Sequence, residues 1–409
     1  MFVLLAISGG LFLGWSLGAN DASNLFGTAV GTRMVKFRTA ALVSSIFVIL
    51  GAVLQGSGTT QTLSALGAID ALGGAFTVAL CSGIIVTLMT KYKLPVSTGQ
   101  VIVGAIVGWC YYTSQPVEYG VLAKIVGSWV FGPILGGLFS AGLYLLLRRY
   151  IRHSRMHLLK MESIIRVSLI VVGAFGAYSL GANNIANVMG VFVNAVSFSV
   201  SLGPFSFSSV QVLFFIGALA ISLGIFTYSR RVMETIGNGV LEMTPEMAIV
   251  VVLTQAIVLF LFSSTSFSDL LVSIGLPAIP LVPVSSTQVV VGALVGVGLV
   301  KGVQEIRLKM LGNIALSWLV SPVVAGIFTY VSLAFVQRVF GVAVSLQMPE
   351  QAGSVATSAT NYHFSVSNQS WWLLLLLLAV VTGLLIYIVY LQRRLRTAER
   401  TRRKISDGM

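Results

Sequence analysis

LGANDASN, residues 17–24, places two Asn, an Asp and a Ser inside an apolar run, and LGANNIAN repeats the pattern at 180–187. Asn20, Asp21 and Asn24, with Asn183, Asn184 and Asn187, offer amide and carboxylate oxygens, the donor set that suits a hard cation. Asp21 carries the formal charge in these two motifs. A carboxylate buried in apolar surroundings is costly unless it has a partner.

A second pair of motifs suits the opposite sign. LPVSTGQ at 94–100 and VPVSSTQ at 282–288 each begin with a proline, Pro95 and Pro283. Proline fits the first turn of a helix, where its missing N–H is harmless. Ser97, Thr98, Ser285, Ser286 and Thr287 then lie among unpaired backbone amides at the positive end of a helix dipole, an arrangement that attracts anions. Neither motif contains Lys or Arg. An anion there must be held by amides, hydroxyls, the asparagines Asn20 and Asn183, the glutamines Gln100 and Gln288, and co-bound cations. Cations beside it lower its desolvation cost, so the binding of the two ions is interdependent.

The elements that carry these residues are membrane segments. The chain has 409 residues, of which 56% are hydrophobic and 9% charged, with a mean hydropathy of +0.95. Soluble domains carry about 25% charged residues. Many apolar runs approach the ~20 residues that cross a bilayer, and no strand alternation suggests a barrel. The N-terminal run lacks a basic leader and reads as a membrane segment rather than a cleaved signal. Cys81 and Cys110 lie in apolar segments and read as packing residues, without a disulfide or metal role.

The net charge of +13 does not point to nucleic acid. The basic residues cluster between apolar runs, at Arg33/Lys36/Arg38, Lys91/Lys93, Arg148–Lys160, Arg230/Arg231, Lys301/Arg307/Lys309 and Arg393–Lys404, as the positive-inside rule requires.

Three phrases recur in order. Besides the Asn motif, LPVSTGQVIVGAIVG at 94–108 matches VPVSSTQVVVGALVG at 282–296, and SWVFGP at 128–133 matches SWLVSP at 317–322. Gly51 pairs more weakly with Gly224. Offsets of 163, 188 and 189 residues place an insertion near 263–282. Membrane segments are expected at 2–32, 39–57, 72–90, 94–112 and 120–147, then 163–193, 209–227, 246–265, 283–300 and 310–333. With the basic clusters inside, an odd number of crossings precedes the linker, so the second half runs upside down. That is a common plan of secondary transporters.

The expected organisation is therefore a first inverted repeat at 1–147 and a basic cytoplasmic linker at 148–160. A second repeat follows at 161–335, then a polar external connection at 336–370. A last helix at 371–390 ends in a basic cytoplasmic tail, within 371–409. The class is all-α, a polytopic inner (cell) membrane protein of about 11 crossings with a cytoplasmic C-terminus. Segment 2–32 is too long for one straight crossing at 1.5 Å per residue. Gly, Asn and Asp are weak helix residues. Both Asn-bearing helices are thus expected to break at the bilayer midplane, near Gly18–Asp21 in the first, baring backbone groups for a ligand.

In these motifs the sequence resembles the inorganic phosphate transporter family, whose signature is GANDVANA with a PVST element in each half. The resemblance covers residues 1 to about 335 and both repeats in order. It implies a usually dimeric symporter of phosphate with sodium or protons. It further implies that Asn20, Asp21, Asn24, Asn183, Asn184 and Asn187 line the substrate and cation sites. Ser97, Thr98, Ser285, Ser286 and Thr287 would contact phosphate. The chain departs from the family pattern at Asn184, where many members have Asp. It departs again at Gln100 and Gln288, where many have His, and at Ile46-Phe47-Val48, where many have IFE. The loss of both His and one Asp removes the central proton carriers and favours sodium. The expected assignment is phosphate at Asn20, Ser97, Thr98, Gln100, Asn183, Ser285, Ser286, Thr287 and Gln288, with sodium at Asp21, Asn24, Asn184 and Asn187. No other cofactor is expected. Dihydrogen phosphate, two sodium ions and ionised Asp21 would sum to zero charge.

A proton-coupled phosphate or sulfate carrier is the nearest alternative. A passive channel is less suited to a duplicated central site. An enzyme is not expected: HExxH is absent, and His153, His157 and His363 lie far from Asp21 in sequence.

Overall fold

Among the described residues, apolar segments fold as helices where hydropathy placed them. The computed structural model describes residues 2–92, 96–153, 157–196, 199–202, 205–230, 233, 243–302 and 308–346. The first half contains α1 (Phe2–Gly31), α2 (Phe37–Gln55), α3 (Ser57–Gly67), α4 (Leu72–Lys91), α5 (Thr98–Thr113) and α6 (Tyr119–His153). The second contains α7 (Leu158–Met189), α8 (Ser209–Thr227), α9 (Pro245–Ser263), α10 (Thr265–Ser273), α11 (Ser286–Lys301) and α12 (Leu308–Phe340). A short antiparallel hairpin, β1 (Ser199–Leu202) with β2 (Phe205–Ser208), precedes α8. Among the described residues seven helices are long and apolar enough to cross a membrane, and α11 is a shorter apolar helix. The exposed face of α6 is apolar, with Val130, Phe131, Ile134 and Leu138 all more than half exposed, as a lipid-facing helix should be.

The basic linker is mostly helical: α6 runs to His153 and α7 starts at Leu158. Helix α12 continues to Phe340, past the boundary expected at 335. The chain divides into two units, residues 1–333 with 343–349, and residues 334–342 with 350–409. Of the second, the structure describes only the last turns of α12. The expected last helix at 371–390, its basic tail, most of the external connection and Pro95 lie outside the described residues.

Contacts between the halves come in matched pairs. A Cβ added to Gly18 of α1 would stand 2.0 Å from the carbonyl oxygen of Ile221 in α8, and one on Gly181 of α7 would stand 2.2 Å from that of Val48 in α2. The reverse contacts also match. Gly51 of α2 meets the Tyr178 carbonyl, and Gly224 of α8 meets the Trp15 carbonyl. The weak Gly51–Gly224 sequence match thus marks two equivalent close approaches. Farther on, Gly104 of α5 abuts the Pro322 carbonyl in α12, and Gly292 of α11 abuts the Pro133 carbonyl in α6. In lipid, where apolar burial drives little, such backbone-to-backbone packing is what holds helices together. A core of Met247, Val250, Val251, Val290, Ala293, Leu294, Val297 and Ile314 fills the space around α9 and α11.

One expectation is overturned. Helices α1 and α7 run unbroken through both Asn motifs. Gly18 and Gly181 are places where another backbone comes too close for any side chain, and they are not hinges. The Asn side chains bond outward to neighbouring elements instead of capturing their own backbone. A span longer than the ~30 Å hydrocarbon core is accommodated by tilting. The interruptions fall opposite, in the non-helical segments before α5 and α11.

The tight glycines give a direct test. Gly18→Val or Gly181→Val should each cost about 2 kcal/mol or more, by overpacking. Gly142→Ala in α6, whose added methyl meets nothing within 4 Å, should leave stability unchanged or slightly raised. The buried free thiols of Cys81 and Cys110 provide the readout, as thiol-reactive dye labelling during thermal unfolding in detergent.

A buried carboxylate between two helix N-termini

Helices α5 and α11 start at the PVS segments, and their caps are alike. The Ser97 hydroxyl accepts from the Gln100 amide at 3.3 Å, and the Ser285 hydroxyl accepts from the Gln288 amide at 3.3 Å. Each serine has non-helical backbone angles, as an N-cap should. Each cap satisfies one of the first amides and leaves the earlier ones pointing outward.

The asparagines hold these caps against α1 and α7. Asn20 Nδ2 donates to the Val96 carbonyl at 3.3 Å, and Asn183 Nδ2 donates to the Val284 carbonyl at 2.7 Å. The Val284 amide donates back to Asn183 Oδ1 at 2.9 Å, so that asparagine grips the segment twice. On the other side the Thr90 hydroxyl occupies Asn20 Oδ1 at 3.3 Å. The Thr287 hydroxyl donates to the Val96 carbonyl at 3.2 Å, which joins the two PVS segments to each other.

Asp21 lies at the junction of the halves and is 2% exposed. Its Oδ1 accepts from Asn20 Nδ2 at 2.8 Å. Its Oδ2 accepts from Ser286 Oγ at 2.9 Å and from Asn184 Nδ2 at 3.2 Å. Helices α1, α7 and α11 therefore meet on one carboxylate, and among the described residues it is held by hydrogen bonds alone. The Asn184 oxygen accepts in turn from Asn183 at 2.9 Å and from Asn187 at 3.2 Å.

At the matching place in the other half, the first turn of α5 faces Asn187. A methyl on Gly99 would lie 3.5 Å from Asn187 Nδ2. Here the polar atoms are not satisfied. Thr98 Oγ1, Gln100 Oε1 and Asn187 Oδ1, and on α11 Gln288 Oε1, are buried without a hydrogen-bond partner. Buried polar groups are normally paired, and these belong to residues whose types suit an ion.

Of the thirteen residues singled out by sequence, Asn24 is half-buried and the other twelve are buried. The side-chain reading overlooked the backbone of Val96 and Val284 and the hydroxyl of Thr90, although PVS recurs in both halves. It also missed α3, whose Thr59 donates to the Ala182 carbonyl at 3.1 Å and whose Thr62 donates to the Leu281 carbonyl. The first bond ties α3 to α7, and the second braces the segment that leads into α11.

A model of the phosphate transporter family matches residues 17–329 and again 279–405. A candidate phosphate permease of Methanocaldococcus jannaschii is 29% identical over 320 residues, covering 78% of this chain and 93% of that one. Another, of Pyrococcus abyssi, is 27% identical over 407 residues, covering 80% and 96%. One of Haemophilus influenzae is 26% identical over 416 residues, covering 80% and 95%. A solved structure described as the sodium-dependent phosphate transporter shares the fold, with a TM-score of 0.65 at 23% identity over 82% of this chain and 99% of that one. Its repeated motifs, its apolar helices and the family match over most of its length make this chain a multi-pass membrane protein of the phosphate transporter family, a class of carriers and not of enzymes.

Proposed function

We propose that this chain imports inorganic phosphate by sodium symport, as an inverted-repeat carrier that alternates access around the site at Asp21. The observation that carries the reading is a carboxylate and two helix N-termini brought together with no Lys or Arg paired to that carboxylate among the described residues. An anion cannot approach Asp21 unless cations screen the pair.

Phosphate is held at the N-termini of α5 and α11. The hydroxyls of Ser97 and Ser285 accept in their caps and remain able to donate. Thr98, Gln100 and Gln288 add side-chain groups, and Ser286 and Thr287 add first-turn amides. Asn20 and Asn183 act by fixing the two caps, since their amides bond Val96 and Val284. Sodium is held by oxygens around Asp21, Asn24 and Asn187, with Asn184 between them.

The unpaired acceptors favour phosphate over sulfate. Gln100 Oε1 and Gln288 Oε1 can accept from a P–OH group, whereas sulfate at neutral pH has no proton to give. The name of the structural neighbour and the absence of a His in either PVS motif support sodium over protons. We extend the family's expected dimer to this chain, and keep the inner-membrane location and cytoplasmic C-terminus expected from its apolar runs and basic clusters, as part of the same reading.

Labelled phosphate uptake into proteoliposomes tests the proposal. Uptake should follow an inward sodium gradient and fail with a proton gradient or with neither. Asp21→Asn should abolish the sodium-stimulated part, and undiminished uptake by that variant would remove Asp21 from the mechanism. Unlabelled sulfate in excess should compete poorly; competition equal to that of unlabelled phosphate would contradict the acceptor argument. Asn183→Leu, which orphans both Val284 backbone groups, should cost roughly 2–4 kcal/mol of stability. Thr90→Val, which removes a donor to Asn20 Oδ1 and leaves the Val96 carbonyl its bonds from Asn20 and Thr287, should cost less. Equal thermal unfolding of the two variants would count against the latch role.

A further inference from the structure

Asp21 and Asn184 occupy the same position in the two copies of the repeated motif. Each accepts the same bond from the residue before it, at 2.8 Å from Asn20 and at 2.9 Å from Asn183. The two side chains also touch, with Asn184 Nδ2 at 3.2 Å from Asp21 Oδ2. The motifs therefore meet at a point where the halves differ by one charge.

Two carboxylates in that position would face each other across a single hydrogen-bond length, far from water. Like charges so placed cannot both remain bare, and they require a cation or a proton between them. In this chain the Asn184 N–H group fills that place. A carbonyl oxygen has two lone pairs, and both on Asn184 Oδ1 are engaged, by Asn183 and Asn187. Asn184 is thus poorly placed to ligate sodium through its oxygen while its nitrogen faces the carboxylate as a donor.

We propose that Asn184 sets the number of cations the carrier takes, its amide standing in for one counterion at Asp21. This rests on the symport reading and deepens it. The chain neutralises its substrate with cations gathered on a single fixed charge. Restoring a second carboxylate creates a further cation subsite between positions 21 and 184.

The test compares wild type, Asn184→Asp and the charge-swapped double variant Asp21→Asn/Asn184→Asp, purified in detergent. Thermal unfolding is measured with sodium replaced stepwise by choline at constant ionic strength and pH. Asn184→Asp should gain a sodium-dependent rise in Tm roughly 5 °C larger than that of wild type. In proteoliposomes its sodium activation of uptake should steepen, the Hill coefficient rising by about one, because one added buried charge demands one added counterion. The double variant, which moves the charge without changing its number, should show the wild-type sodium-dependent rise in Tm.

An Asn184→Asp protein with no greater sodium dependence in Tm than wild type would overturn the proposal. If that variant does not accumulate, the double variant decides. A sodium response matching wild type supports the proposal, and a response lost as in Asp21→Asn alone contradicts it. Wild-type uptake from the same preparation separates the two readings. Its absence defeats sodium symport, while the unfolding comparison still judges Asn184.

Discussion

A buried carboxylate with no Lys or Arg paired to it among the described residues is the constraint on which the rest of this structure depends. Asp21 would be costly in a helix facing lipid. It is tolerated because donors arrive from three helices, through Asn20 on α1, Asn184 on α7 and Ser286 on α11. Two of those donors belong to the other half of the chain. The charge therefore binds the halves together, and the first turn of α11 and the amide of Asn184 are fixed by the same group. The helix end proposed to bind the anion lies beside the carboxylate proposed to bind the cation because Ser286, in the first turn of α11, donates to Asp21.

The scaffold that makes this possible works at the level of backbone. Glycines at equivalent positions let α1 touch α8 and α2 touch α7, and let α5 touch α12 and α11 touch α6. Each contact in one half has its partner in the other. Such reciprocity brings the two Asn motifs face to face and sets the two PVS segments against each other, where Thr287 reaches the Val96 carbonyl. Asn20 and Asn183 then lock each helix N-terminus to the opposing helix. The chemistry of the site follows from which positions break the symmetry. Asp21 faces Asn184, and Gly99 stands where the other half has Thr287.

Helix positions were legible because lipid tolerates little besides apolar helix, so each long run had one possible fate. The duplication was legible because it is written in three ordered phrases. The helix breaks predicted in the two Asn motifs, near Gly18–Asp21 in the first, were a misreading with a physical cause. Propensity treats glycine as a weak helix residue, but here the backbone of Ile221 or Val48 leaves no room for anything larger. Helix α3 was missed since SGTTQTLSALG is too short and polar to signal a span. The backbone bonds to Val96 and Val284 were hidden because a reading of side chains overlooks carbonyls. That the two Asn motifs share one site was expected from the repeat, but the direct bond from Asn184 to Asp21, across 163 residues, comes from the fold alone.

The central claim is that this site holds its oxyanion by means of bound cations, which makes the two affinities reciprocal. Equilibrium binding of labelled phosphate to the purified protein, without membranes or gradients, tests it most directly. Phosphate should bind in sodium and lose most of its affinity in choline, and sodium should bind more tightly when phosphate is present. Equal phosphate affinity in the two salts would show that amides and hydroxyls suffice, and the account would fail.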